Sequence, residues 1–252
     1  MKLSYLKLLI ILIISMMLAN CGTYTTVRHM KDYQKSLKEG SQVLIVPPDI
    51  EVHVVGAFSH KERMYQYEYH LEELIYEQLR NSFEENGFRV KILNKKDIAD
   101  LKLNENFYSF RTKYNSAKEE LYKPLTMLTQ QAYDSQKNIG SEAKVVGIAT
   151  NSKFLIITDY NRSVKTNGAR TLDFAASLLL GSHDGAKNAD TGVMFIGIVE
   201  AASGDILWAN FSVKTRDIYT SAFDNLSDRD KVDAQHLKEL IIAILKPLKS
   251  SK

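Results

Sequence analysis

Apolar residues recur along the chain at two spacings, and the alternation between them outlines an α/β fold. Val43 to Val46 is a continuous apolar run stopped by Pro47-Pro48, and Glu51 to Val55 alternates, so a buried strand leads into an extended segment. Leu71, Leu74, Ile75, Leu79 and Phe83 follow at helical spacing, with Gly87 placed to close the helix in a left-handed cap. Phe88 to Leu93 alternates as a strand. Phe107, Phe110, Tyr114, Ala117, Leu121, Leu125, Leu128 and Ala132 lie three or four residues apart, a helical seam that Pro124 is expected to break or kink. A helix over Ser141 to Thr150, a buried strand at Phe154 to Thr158 and a short helix over Leu172 to Leu180 come next, then a polar loop from Gly181 to Asp190. Val193 to Val199 reads as a central strand covered on both faces, and the turn Ala201 to Gly204 leads into an alternating strand through Leu207, Ala209, Phe211 and Val213. A last helix, with Ser227 and Asp230 as its capping box, carries Leu237, Leu240, Ile241, Ile244, Leu245 and Leu248 on one stripe.

The pattern predicts one α/β domain over residues 42–252, a mixed sheet of about five strands flanked by helices. Two strands and a helix precede the stretch from about 104 to 138, and three strands with the terminal helix follow it. That stretch therefore reads as a helical insertion into an otherwise complete unit.

The beginning of the chain is different in kind. Lys2 and Lys7 precede an apolar run of eleven residues, Leu8 to Leu18, which is about half the length needed to cross a bilayer. Positive charge, short apolar run and small-residue end together read as a secretory signal peptide over residues 1–20. Residues 21–41 are polar with scattered single apolar residues and read as a flexible tether, about 65 to 70 Å long if extended.

Composition narrows the function classes. Of 252 residues, 44% are hydrophobic and 25% charged, as in an ordinary globular protein. Without the two signal-peptide lysines the balance is 31 basic to 30 acidic residues, since 33 less 2 is 31, so there is no polybasic footprint for nucleic acid. A single cysteine permits neither an internal disulfide nor a multi-cysteine metal site.

Nothing in the chain carries a recognisable catalytic signature. It lacks a G-x-S-x-G elbow, an H-E-x-x-H pair, and the G-x-G-x-x-G and G-x-x-x-x-G-K-[ST] phosphate loops. Ser182, His183 and Asp184 have the residue types of a hydrolase triad, but adjacent residues in a glycine-flanked loop do not line up nucleophile, base and orienter. The six histidines, at 29, 53, 60, 70, 183 and 236, show no metal-ligand spacing. His70, beside Glu72 and Glu73, reads as part of a solvated face. Tyr65, Tyr67 and Tyr69 read as packing at a helix start in preference to an aromatic binding strip. No metal or cofactor is implied.

Leu18-Ala19-Asn20-Cys21 resembles the lipobox of bacterial lipoproteins, with Asn20 departing from the small residue usual before the cysteine. The resemblance implies cleavage after Asn20, lipidation of Cys21 and, with Gly22 following, an outer-membrane destination. Together with the strand ending in Pro47-Pro48, the helix ended by Gly87 and the hairpin carrying Ser203-Gly204-Asp205-Ile206-Leu207-Trp208, the chain resembles a group of bacterial outer-membrane lipoproteins. This group includes the curli-secretion lipoprotein and the penicillin-binding-protein activator lipoprotein, with a fold similar to the TolB amino-terminal domain.

That resemblance implies a lipid-anchored protein on the periplasmic face of the outer membrane that binds an envelope protein partner and supports its assembly or activity, and not an enzyme. An envelope hydrolase is the alternative. A third reading, a subunit of an oligomeric secretion channel, needs paired amphipathic strands of about ten residues, and the apolar runs are shorter. The partner surface is expected on the outer face of the helical stretch, at Lys113, Lys118 and Lys123.

Overall fold

The computed structural model describes residues 24–55, 61–123, 136–165, 190–216 and 226–249. In chain order the elements are β1 (Tyr24–Thr25), β2 (Arg28–His29), α1 (Tyr33–Ser36), β3 (Gln42–Ile45), β4 (Asp49–Val55), β5 (Lys61–Arg63), α2 (Tyr65–Glu85), β6 (Arg89–Ile92), α3 (Lys95–Asp100), α4 (Asn104–Leu121), α5 (Glu142–Thr150), β7 (Phe154–Lys165), β8 (Asp190–Glu200), β9 (Ile206–Arg216) and α6 (Leu226–Lys249). All the strands join one mixed sheet, so the chain is an α/β protein as its periodicity predicts.

β7 is the axis of that sheet. Along one side β8 and then β9 pair with it as an antiparallel meander. Along the other side β3 runs parallel to its first half and β4 parallel to its second half. β6 lies parallel outside β3, and β5 lies antiparallel outside β4.

The break between β3 and β4 is the Pro47-Pro48 pair, and it shifts the register. Ile45 faces Ile156 but Asp49 faces Asp159, so four residues on one strand span three on the other. The extra residue is a bulge in a parallel pair. Because side chains alternate with period two, one inserted residue exchanges the two faces. Val43 and Ile45 before the bulge, and Ile50 and Val52 after it, therefore all enter the same core.

Two cores result, one on each face. On the first, Leu71, Ile75, Leu79 and Phe83 of α2 and Leu237, Leu240, Ile241 and Ile244 of α6 cover Phe154, Ile156, Ile196, Ile198 and Trp208. Gly87, at φ +82°, closes α2, with its N–H donating to Glu84 and that of Phe88 to Phe83. On the second face, Phe110, Tyr114, Ala117 and Leu121 of α4 and Ala143 and Val146 of α5 cover Leu44, Val46, Leu155, Ile157 and Val199.

Four expectations need correction. The segment read as a tether is part of the sheet from Tyr24 onward, with β1 and β2 pairing antiparallel along the outer edge of β9 and Tyr33 and Leu37 buried in the first core. Its polar composition hid this because two-residue strands show no periodicity. The helical stretch after 104 is no insertion, since Phe110, Tyr114, Ala117 and Leu121 of α4 are part of the second core itself. The strand segments number nine among the described residues instead of about five. Finally, β7, β8 and β9 have 12, 11 and 11 residues, so the paired long strands missing from the apolar runs do exist. Along much of their length they are buried between the two helix layers. The predicted helix over Leu172 to Leu180, the loop after it and the seam beyond Pro124 lie outside the described residues, as do the side chains of Ser227 and Asp230.

Candidate functional site: a cleft at the carboxyl ends of the parallel strands

Of the parallel strands, three lie in the order β7-β3-β6 but follow one another along the chain as β3, β6, β7. The connection from β3 to β6 runs through α2 on the first face, and that from β6 to β7 through α3, α4 and α5 on the second. Connections diverging to opposite faces leave a crevice beyond the carboxyl ends of the strands, the usual place for a site in an α/β sheet.

A cleft of about 500 Å³ lies there. Pro47, Pro48 and Asp49 form one wall, Phe107, Tyr108 and Arg111 of α4 the other, and Lys95 stands at its end. Tyr108 is 75% exposed, and Tyr69 stands close by, with the Lys95 ammonium 5.3 Å from its ring centre. Arg111 is the central polar group, and the bulge explains its position. Val46 N–H donates to Ile156 O, the last ladder bond before the bulge. Two residues on, Pro48 has no N–H to offer the Thr158 carbonyl. Arg111 replaces that donor, its Nη2 bonding Thr158 O at 3.2 Å and also Pro47 O.

A buried guanidinium needs a counter-charge. Asp159 supplies it, its carboxylate accepting from Arg111 Nη1 at 2.9 Å and pairing with Lys118 through its other oxygen. Arg111 and Asp159 are therefore engaged with the fold, and the described lining of the cleft presents aromatic and hydrogen-bonding surface.

Three residues further along β7, on the opposite face, lies a second buried polar cluster. Arg162 Nη1 donates to Asp233 of α6 at 2.7 Å and to the Tyr67 hydroxyl of α2 at 2.7 Å, and Tyr67 in turn donates to Asp233. Burial pushes the phenol of Tyr67 well above the ordinary range and that of neighbouring Tyr160 up to about 12. Its geometry is that of a clamp joining two helices to the strand.

The residues singled out from the sequence are dispersed. Lys113 pairs with Glu142 at 2.5 Å and holds its carboxyl below the ordinary range, and Lys123 is exposed. Lys118 points inward instead, only 17% exposed, which overturns its assignment to the outer face. The tyrosine triplet divides, since residues two apart on a helix point to different sides. Tyr67 is buried, while Tyr65 and Tyr69 are exposed, each beside a cation. His70 lies against Tyr67 with ring centres 6.4 Å apart. Cys21 and the Ser182-His183-Asp184 loop fall outside the described residues. Among the described residues no three His, Cys, Asp or Glu side chains gather in a way that could hold a metal ion.

No family model and no curated protein matches the chain. Among solved structures, it is similar to two of PelC from Paraburkholderia phytofirmans, both described as dodecamers, one of them a single-substitution variant. Identity is 10% in each case, with TM-scores of 0.40 and 0.42, and the alignments cover 90% of this chain and 99% and 98% of theirs. A likeness this distant carries no information on what the chain binds.

Proposed function

We propose that this chain is a lipid-anchored envelope protein, freed of Met1 to Asn20 and held by acylated Cys21 on the periplasmic face of the outer membrane, where it binds a partner protein and supports its assembly or activity. Its role is recognition and not catalysis. The observation that carries this reading is the lipobox-like Leu18-Ala19-Asn20-Cys21 lying three residues ahead of Tyr24, the first residue of the sheet. Three residues reach at most about 11 Å. An acylated Cys21 would therefore hold the β9 edge of the sheet close to the bilayer, and two or three acyl chains make such an anchor effectively permanent.

The cleft favours binding over chemistry, because its buried charges are engaged with the backbone and with one another while aromatic rings remain exposed at its rim. Mass spectrometry of the protein extracted from membranes tests the anchor. The expected species begins at Cys21 and carries diacylglycerol. An intact Met1 or an unmodified Cys21 removes the basis of the reading.

A further inference from the structure

We propose that the groove at the amino-terminal ends of β3 and β7 docks an acidic segment of the partner protein, with an apolar residue of that segment seated on Ile148. The inference rests on the partner-binding reading above and names the chemistry of the partner and the place where it binds. The groove has a volume of about 560 Å³ and lies at the opposite end of the parallel strands from the cleft. Arg89, Lys144 and Lys153 line it, and no carboxylate does among the described residues.

These cations are available to a ligand. Arg89 is exposed and donates from Nε to Gly40 O at 3.0 Å, which fixes the guanidinium. Lys144 is exposed and has no ion partner among the described residues. Lys153 is 3.6 Å from Glu200 and remains 59% exposed. The carboxyl end of α5 borders the groove, and several of its carbonyls are satisfied within the fold. Gly147 O accepts from Ser152 N–H, Ile148 O from Asn151 N–H, and Asn151 O from Gln42 Nε2. The three cations therefore set the sign of the field.

The apolar part of the surface is also placed for binding. Ile148 is 71% exposed, and Val145 on the same helix is exposed as well. The floor is kept low by Gly147, where a methyl group would overlap Ala201 and lie 2.9 Å from the Ser152 carbonyl. An apolar anchor ringed by one sign of charge matches a peptide in which carboxylates flank an apolar side chain.

Position favours a protein over the bilayer as occupant. Tyr24 faces Val213, Val213 faces Val193, and Val193 faces Asn161, seven residues along β7 from Phe154. The anchored end of the chain is thus about 23 Å along the strands and four strand spacings, about 19 Å, across the sheet from the groove.

The test uses the full chain in detergent and a fluorescent synthetic peptide with Asp and Glu flanking a central Leu, together with its Lys-flanked counterpart. The acidic peptide should bind and the basic one should not. The variants Lys144→Glu/Lys153→Glu and Ile148→Ser should each weaken binding at least about tenfold with an unchanged melting temperature. In cells, a photo-crosslinking residue at position 148 should give an adduct that is lost in Lys144→Glu/Lys153→Glu, and the crosslinked peptide should be acidic. Equal peptide binding by both variants would overturn the proposal, as would tighter capture of phosphatidylglycerol vesicles through the same residues. Adducts from position 108 but not from 148 would overturn the groove and leave partner binding intact. Adducts from neither position would count against both.

Discussion

Replacing Asp233 by Asn should cost the fold about 3 to 5 kcal/mol, because it leaves a buried guanidinium without its counter-charge. The side chains of Arg162 and Asp233 are 2% and 1% exposed, and their contact is 2.7 Å. Asparagine keeps the shape of aspartate and one acceptor oxygen, so the substitution removes chiefly charge. Arg162 cannot respond by losing its proton. Removing both charges, with Arg162→Met beside Asp233→Asn, should cost less than the sum of the two single changes, since no lone ion then remains buried. A whole domain is stable by about 5 to 15 kcal/mol, so the single variant forfeits a large share of it. Trp208, the only tryptophan and fully buried in the same core, reports urea unfolding through its emission. A loss below about 1 kcal/mol for Asp233→Asn, or strict additivity in the cycle, would refute the reasoning that these groups form one coupled buried cluster.

Three further outcomes are expected. Lys118→Glu should destabilise by about 3 kcal/mol or more by setting a carboxylate against buried Asp159, whereas Lys123→Glu should stay within about 0.5 kcal/mol; urea midpoints of the two variants check this. Stability should fall as pH rises from about 10 to 12, because the folded state holds Tyr160 protonated up to about 12 while the unfolded chain ionises near 10. Its contribution is complete below 10, and Tyr160→Phe should reduce the slope of that loss by about 1.4 kcal/mol per pH unit in pH-dependent urea titrations. A chain beginning at Gly40 should aggregate or lose cooperative unfolding relative to one beginning at Gly22, since it lacks β1 and β2 on the edge of β9 and the buried side chains of Tyr33 and Leu37; size exclusion and thermal melts distinguish the two.

What was legible in the sequence is what depends on one element meeting one core. Leu71 to Phe83 and Leu237 to Leu248 each bury a single stripe, so their spacing alone reveals the helices. Val193 to Val199 is covered on both faces and reads as an unbroken apolar run. The length of β7 was not legible, because Asp159 and Arg162 interrupt its apolar pattern while remaining buried, and the alternation that reveals β9 as far as Val213 does not show that its polar positions Asn210 and Ser212 are buried too. Three of these polar groups have partners on the covering helices, Asp159 on α4, Arg162 on α2 and α6, and Asn210 at the Ile244 carbonyl of α6, and no local pattern announces a tertiary partner. For Lys118 a signal did exist. Arg111, Tyr114, Lys118 and Leu121 are three, four and three residues apart, the spacing of a shared helix face, so two basic residues beside the buried stripe imply a buried acid opposite.

The chain of causes behind that inward lysine begins more than sixty residues earlier. Pro47-Pro48 inserts one residue, which turns Ile50 and Val52 toward the core that Val43 and Ile45 already occupy. The same prolines take away the donor that Thr158 O would have met in the ladder, and a buried carbonyl left unpaired is costly. Arg111 fills the vacancy from the second face, Asp159 neutralises Arg111, and the remaining oxygen of Asp159 draws in Lys118. Each step follows from the one before by burial and charge, and none depends on a ligand. The most strongly polar part of the cleft is thus accounted for by the backbone it repairs. The cations of the opposite groove repair little: Arg89 Nε meets Gly40 O and Lys153 stands near Glu200, but Lys144 meets no counter-charge among the described residues. That contrast between engaged and available charge is why the proposed docking site is drawn at Ile148 and not along α4.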